Sequence, residues 1–298
     1  MINEANVLIF SLLGGIVPAL FWLWFWIRED RLRPEPKSAL LSAFIGGIIA
    51  VLLALFFELV IYFLLVDASL SIEGKNPELF WLMLENFGEK FNLLAHQTEY
   101  WQSTQNFFNR WSVFTNYHLE VKKIFLVVIM APFIEELFKF ILTYTICLRR
   151  KVNNEPIDAS IYMLTTALGF ASVETALFLT EPLGNGQILD TIIAGNFRSI
   201  GPMLIHLVCS AILGIFIGLA FYKSKAKKVL YWFFGFILAV FLHSLFNFFI
   251  LLNESTRNFW FFWAACFGTW SLVVVLLVFF EKIKTVVQPP FLLLGKKK

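Results

Sequence analysis

Charge is scarce in this chain. Only 15% of its 298 residues are Asp, Glu, Lys or Arg, against 59% that are hydrophobic. Mean hydropathy is +0.74. A soluble domain rarely has so little charge, and the composition is that of a polytopic membrane protein. The net charge of +3 is small, and the basic residues fall in short clusters between apolar runs. That distribution argues against nucleic acid as a partner and marks membrane topology instead. Cysteine is sparse too. Cys147, Cys209 and Cys266 stand alone within or at the ends of apolar segments, with no CxxC spacing and no paired loop cysteines. Neither a disulfide framework nor a thiolate zinc site is therefore expected. The opening MINEAN lacks the positive region of a signal peptide, and the long apolar run after it is read as a retained first span.

Long hydrophobic runs and aromatic residues are plentiful. The chain holds 36 Phe and 10 Trp, suited to lipid contact and interfacial belts. A span needs about 20 largely apolar residues. Seven candidates meet this, at about 6–27, 39–66, 123–148, 157–180, 199–222, 229–252 and 258–281. The expected fold is an all-α polytopic membrane protein of about seven transmembrane helices, forming a single membrane domain over 1–298. Positive charge alternates between the loops: Arg28, Arg31, Arg33 and Lys37 follow span one, and Arg149, Arg150 and Lys151 follow span three. Lys223, Lys225, Lys227 and Lys228 follow span five, and Lys282, Lys284 and the closing lysines follow span seven, whereas the 180–198 and 252–258 loops offer one arginine each. The positive-inside rule then sets the N-terminus outside and the C-terminus in the cytoplasm of a multi-pass cell-membrane protein. The 67–122 segment falls outside. It is aromatic-rich and partly amphipathic, which suits either interfacial helices or a packed extracytoplasmic cap. Gly214 and Gly218 form a GxxxG that points to close helix packing.

Four spans carry polar groups that a lipid-facing helix avoids. Span three has Glu135, Glu136 and Lys139, span four has Glu174, span five has His206, and span six has His243 and Asn247. A charged residue at a helix centre costs roughly 2.5–3.5 kcal/mol on insertion scales, so several of them need a reason. Counted from the outer end of each span, Glu174 and His206 lie ~10 Å deep, and His243 and Glu135 ~14–17 Å deep. One polar cavity lined by four helices accounts for this shared level. Residues four apart share a helix face, which sets Glu135 beside Lys139 and His243 beside Asn247; Lys139 also reaches the side of Glu136. Lys139 thus compensates one carboxylate and leaves the other for proton transfer. Taken singly, each group also has a structural reading, as a buried ion network or an interhelical hydrogen bond.

These residues resemble the PrsW family of intramembrane proteases, within the superfamily that includes the type II CAAX prenyl proteases. The matching pieces are EDRLRPEPK (29–37), EELFK (135–139), EPID (155–158), GFASVE (169–174), HLVCSAILG (206–214) and HSLFN (243–247). The resemblance covers about residues 29–250 and implies a glutamic-type endopeptidase with its catalytic helical core in spans three to six, residues 123–252. It further implies that Glu135 and a histidine activate water, here His206, and that His243 with Asn247 stabilises the oxyanion. CAAX-type members carry a histidine where this chain has Glu174. The implied partner is a membrane-anchored protein substrate; PrsW-like proteins are associated with anti-sigma factors, although no residue here encodes that choice.

Two other classes compete. A proton-coupled transporter also uses intramembrane Glu, Lys and His, but inverted repeats or paired broken helices are not evident in the sequence. A non-catalytic scaffold that binds transmembrane helices would keep the same groups. Within the protease reading, Glu135, Glu136, Glu174, His206 and His243 include enough donors for a zinc site. No HExxH is present, Lys139 would compete with a cation, and few groups are evident that would orient histidine ligands. The expectation is a mechanism without metal or other cofactor.

Overall fold

The computed structural model describes residues 3–28, 34–62, 124–256 and 258–286. The 67–122 segment lies outside the described residues. Among those described, every regular element is helical. In chain order they are α1 (Glu4–Ile27), α2 (Lys37–Tyr62), α3 (Phe125–Leu148), α4 (Asp158–Gly184), α5 (Ile188–Ile200), α6 (Pro202–Leu219), α7 (Lys225–Thr256) and α8 (Phe259–Lys284). Six stretches are long and apolar enough to cross a membrane: α1, α2, α4, α5 with α6, α7 and α8. The α3 segment carries the three central charges. It runs without a break as a π-helical stretch Phe125–Met130, an α-helical Ala131–Thr143 and a second π-helical stretch Tyr144–Leu148. The molecule is an all-α multi-pass membrane protein.

The expected 180–198 loop is mostly helix. α4 continues to Gly184, and α5 fills Ile188–Ile200 after a turn in which Gly186 takes φ +75. The turn chemistry of Asn185-Gly186 breaks the chain only briefly. The spaced Ile188, Ile192, Ile193 and Phe197 then suffice for a short amphipathic helix. Pro202 at the start of α6 closes the junction. Arg198 consequently sits on a helix rather than in a loop.

Small residues decide how closely the helices pack. α4 is buried along nearly all its length, with α1, α2 and α6 against it. A Cβ added at Gly47 of α2 would lie 2.0 Å from the Thr166 carbonyl oxygen of α4, and one at Gly169 of α4 would lie 2.0 Å from that of Phe44. On α6, Gly214 faces the Ser160 backbone and Gly218 faces the Pro156 carbonyl, so the GxxxG does mark a close approach. Lipid offers no hydrophobic drive for helix association, and this backbone-to-backbone fit supplies dispersion instead. It also holds α4 and α6 near enough for Glu174 and His206 to touch.

Proline accounts for an irregularity beside the site. In the π-helical start of α3, the Val127 carbonyl would accept from residue 132. That residue is Pro132, which has no N–H. The open carbonyl accepts instead from the side-chain amide of Asn247 on α7, at 3.1 Å.

Candidate active site

The polar residues gather toward the end of the bundle at which α2, α4 and α7 finish and α3 and α6 begin. Glu136 and Lys139 are fully buried on α3. The ammonium of Lys139 donates to Glu136 Oε1 at 2.6 Å and lies 3.7 Å from Glu135 Oε2. Glu136 also accepts from Ser210 at 3.0 Å and pairs with His243 Nδ1 at 3.1 Å. It is therefore the anchored carboxylate, with three partners on three helices. Glu135 is the reverse case: its Oε2 is buried and has no hydrogen-bond partner among the described residues. That oxygen faces His206 Nδ1 at 3.6 Å and His243 Nε2 at 3.8 Å.

The two histidines stand edge to face, with ring centroids 4.8 Å apart. His206 Nε2 meets Glu174 Oε2 at 2.6 Å, and its Nδ1 meets the Lys139 ammonium at 2.8 Å. A carboxylate accepts and an ammonium donates, so the network assigns the His206 proton to Nε2. By the same logic Glu136 assigns the His243 proton to Nδ1, which leaves Nε2 of the neutral ring as an acceptor. His243 can therefore donate to an oxyanion through Nε2 only in its doubly protonated form. Phe170 covers this centre, 4.4 Å beneath the Lys139 ammonium and 5.3 Å from the His206 ring. A cation over an aromatic face keeps attraction while losing water.

The structure brings together six of the seven residues singled out in the sequence: Glu135, Glu136, Lys139, Glu174, His206 and His243. Asn247 makes no hydrogen bond with these six; one amide hydrogen goes to the Val127 carbonyl, and the other is free among the described residues. Two residues were missed. Arg198 of α5 pairs with Glu174, Nη2 to Oε1, at 2.9 Å; it looked like a topology marker in a loop. Glu58 of α2 has a buried Oε1 with no hydrogen-bond partner among the described residues, and α2 packs against both α3 and α4. Its one sequence signal was a lone carboxylate inside the apolar second span.

Two other motif pieces meet at the opposite end of the bundle. Tyr162 donates its hydroxyl to Glu35. Asp158 accepts from the backbone N–H groups of Asn154 and Glu155 at 2.7 Å each. Glu35, just before α2, is thereby tied to α4, and Asp158 closes the turn that opens α4.

Metal binding can be tested on the same geometry. One ligand atom each from Glu135, His206 and His243 lie within 4.8 Å of one another. Glu174 and Glu136 hold the outer nitrogens of the two histidines, the arrangement that orients histidine ligands. The expectation that such partners are few does not hold. Lys139 is the opposing feature, because its ammonium occupies the lone pair of His206 Nδ1; a cation would have to displace it onto Glu136. With that adjustment the three residues fit a divalent metal.

Fold and site together define an integral membrane protein with a buried Glu/His centre. Residues 102–282 match the model of the PrsW family of intramembrane metalloproteases, and the chain belongs to that family. It is similar to Protease PrsW of Geobacillus kaustophilus (strain HTA426), at 24% identity over 82% of each chain. It is also similar to Protease PrsW of Clostridioides difficile (strain 630), at 23% identity over 80% of this chain and 78% of the other. Protease PrsW of Halalkalibacterium halodurans is 31% identical over 42% of this chain and 54% of its own. No solved structure matches.

Proposed function

We propose that this protease cleaves peptide bonds of membrane-anchored protein substrates with water activated by Glu135. The observation that supports this most is the Glu135 Oε2, a buried carboxylate oxygen with no hydrogen-bond partner among the described residues, facing two histidine nitrogens. Glu135 takes a proton from water while the acceptor Nε2 of His243 holds that water by its other O–H, and His206, fixed between Glu174 and Lys139, walls the site beside it. The hydroxide oxygen bonds to the scissile carbonyl carbon. The free amide hydrogen of Asn247 then stabilises the oxyanion. As the C–N bond breaks, Glu135 returns its proton to the leaving nitrogen. Glu136 and Glu174 position the two imidazoles, and Lys139 balances the charge of Glu136. An anti-sigma factor, suggested by the family resemblance alone, is one candidate substrate.

A second reading follows from the donor set and the family description. Glu135, His206 and His243 would hold a divalent metal, which would acidify bound water and polarise the carbonyl. One experiment separates the readings. The purified chain in lipid nanodiscs is given a membrane-tethered substrate in H₂¹⁸O, before and after exhaustive chelation. Hydrolysis puts one ¹⁸O in the new carboxylate. The glutamate mechanism expects unchanged turnover after chelation and no stoichiometric zinc by elemental analysis. Turnover lost to chelator and restored by zinc assigns the three residues as ligands. Faithful binding without any cleavage would favour the scaffold reading.

We further propose the orientation set by the loop charges, with the N-terminus outside, the active centre in the outer half of the cell membrane, and the C-terminus cytoplasmic. All three native cysteines are buried, so background labelling is low. A cysteine placed by Lys227→Cys in the exposed stretch at the start of α7 should react with an impermeant maleimide only once the inner face is opened. Labelling in intact cells would reverse the topology.

A further inference from the structure

A peptide bond cannot be cut while it lies inside a helix, since its carbonyl and N–H are engaged and shielded. A transmembrane substrate must unwind locally, and each backbone group it frees has no water to turn to in lipid. An intramembrane protease therefore needs donors and acceptors of its own beside the hydrolytic centre, unpartnered until substrate arrives. Two such groups lie at the same end of the bundle, one of them against Glu174, and neither has a part in the chemistry above. The Nε of Arg198 is buried with no hydrogen-bond partner among the described residues; Nη2, though 2.9 Å from Glu174, is not aligned to donate to it. On α2, which packs along α4, Oε1 of Glu58 is a buried acceptor without a hydrogen-bond partner among the described residues.

Their placement suits access. The Glu174 side chain is 35% exposed, against 13% for Glu135 and 3% or less for His206, His243, Glu136 and Lys139. The cluster thus opens at Glu174. Glu174 bridges Arg198 to His206 with a single carboxylate, and His206 faces Glu135. A backbone gripped at Arg198 reaches Glu135 within about four extended residues at ~3.3 Å each. Arg198 is held in place over the Phe178 ring at 4.5 Å, and α5 is tied to α1 by Trp22 donating to the Ser199 carbonyl at 3.0 Å. Glu58 belongs to α2, outside residues 102–282 that the family model spans.

We infer that Arg198 and Glu58 form a backbone clamp, Arg198 donating to a carbonyl and Glu58 accepting from an N–H of the unwound substrate segment. The inference rests on the protease reading for its purpose but not for its test. Two labelled transmembrane peptides serve as probes, one an uninterrupted Leu/Ala helix and one with a central Gly-Pro break. Their binding is measured by anisotropy to the Glu135→Gln chain in nanodiscs, where nothing is cut. The broken peptide should bind more tightly than the uninterrupted one. Glu58→Met and Arg198→Lys should each weaken it at least about tenfold, and Glu58→Gln, which keeps an acceptor, should restore most of the affinity. An ester scan of the broken peptide should find one position where losing the N–H weakens the parent chain as much as Glu58→Met does. At that position the ester and Glu58→Met should not add. Equal binding by all variants, or no saturable binding by the parent, overturns the clamp even if cleavage depends on Glu135. The expected pattern in a chain that cleaves nothing would keep the clamp and remove the protease mechanism.

Discussion

Glu135→Gln should reduce turnover by roughly 10²–10⁴, the range a positioned general base supplies, while substrate affinity and thermal stability stay near those of the parent. The size of the first effect follows from chemistry, because a carboxamide cannot take a proton from water at neutral pH. The smallness of the second follows from geometry. Glu135 Oε2 makes no hydrogen bond among the described residues, and the Lys139 ammonium is 3.7 Å away, so an isosteric amide disturbs little. Glu136→Gln gives the informative contrast. It would perturb contacts with Lys139, Ser210 and His243 at once and should lower stability as well as activity. Turnover and melting temperature in nanodiscs read both variants. Parental turnover in Glu135→Gln would remove Glu135 from the reaction.

The other large effect is on stability. Lys139→Ala leaves Glu136 fully buried with its cation gone, and breaking a buried pair by removing one partner costs about 3–5 kcal/mol. The imidazole of His206 also loses the donor at 2.8 Å from its Nδ1. The variant should unfold at a clearly lower temperature and lose activity. Replacing both partners with apolar residues, Lys139→Met with Glu136→Leu, should recover much of the stability, since a well-packed hydrophobic pair is often neutral or better. It should remain inactive, because His243 would lose the carboxylate that sets its tautomer. A melting temperature unchanged in Lys139→Ala would show that the cation does not hold the centre together.

Hydropathy and loop charge were enough to delineate the spans, because lipid imposes a length and composition that any sequence must meet. The shared depth of Glu135, Glu174, His206 and His243 was also legible, since helical rise converts position into height. Their contacts bear this out: Glu174 touches His206, and both histidines face Glu135. The GxxxG of α6 could be read as a close approach for a similar reason, as small residues at four-residue spacing make a groove. Periodicity gives the face of a helix but not its partner. It allowed Lys139 to reach either glutamate, and only the packing of α6 and α7 against α3, bringing Ser210 and His243 to Glu136, decided that Glu135 is the free one. Arg198 went unrecognised because its helix is short and flanked by turn residues, so a positive charge there looked like a loop. Glu58 was a lone acid on a span with no polar companion. Its role depends on α2 lying along α4, a proximity created by Gly47 and Gly169 at the backbone. Chain order, hydropathy and spacing are one-dimensional quantities and determine depth and face; which unpaired donor and acceptor lie beside the centre depends on interhelical distances that only the packed bundle sets.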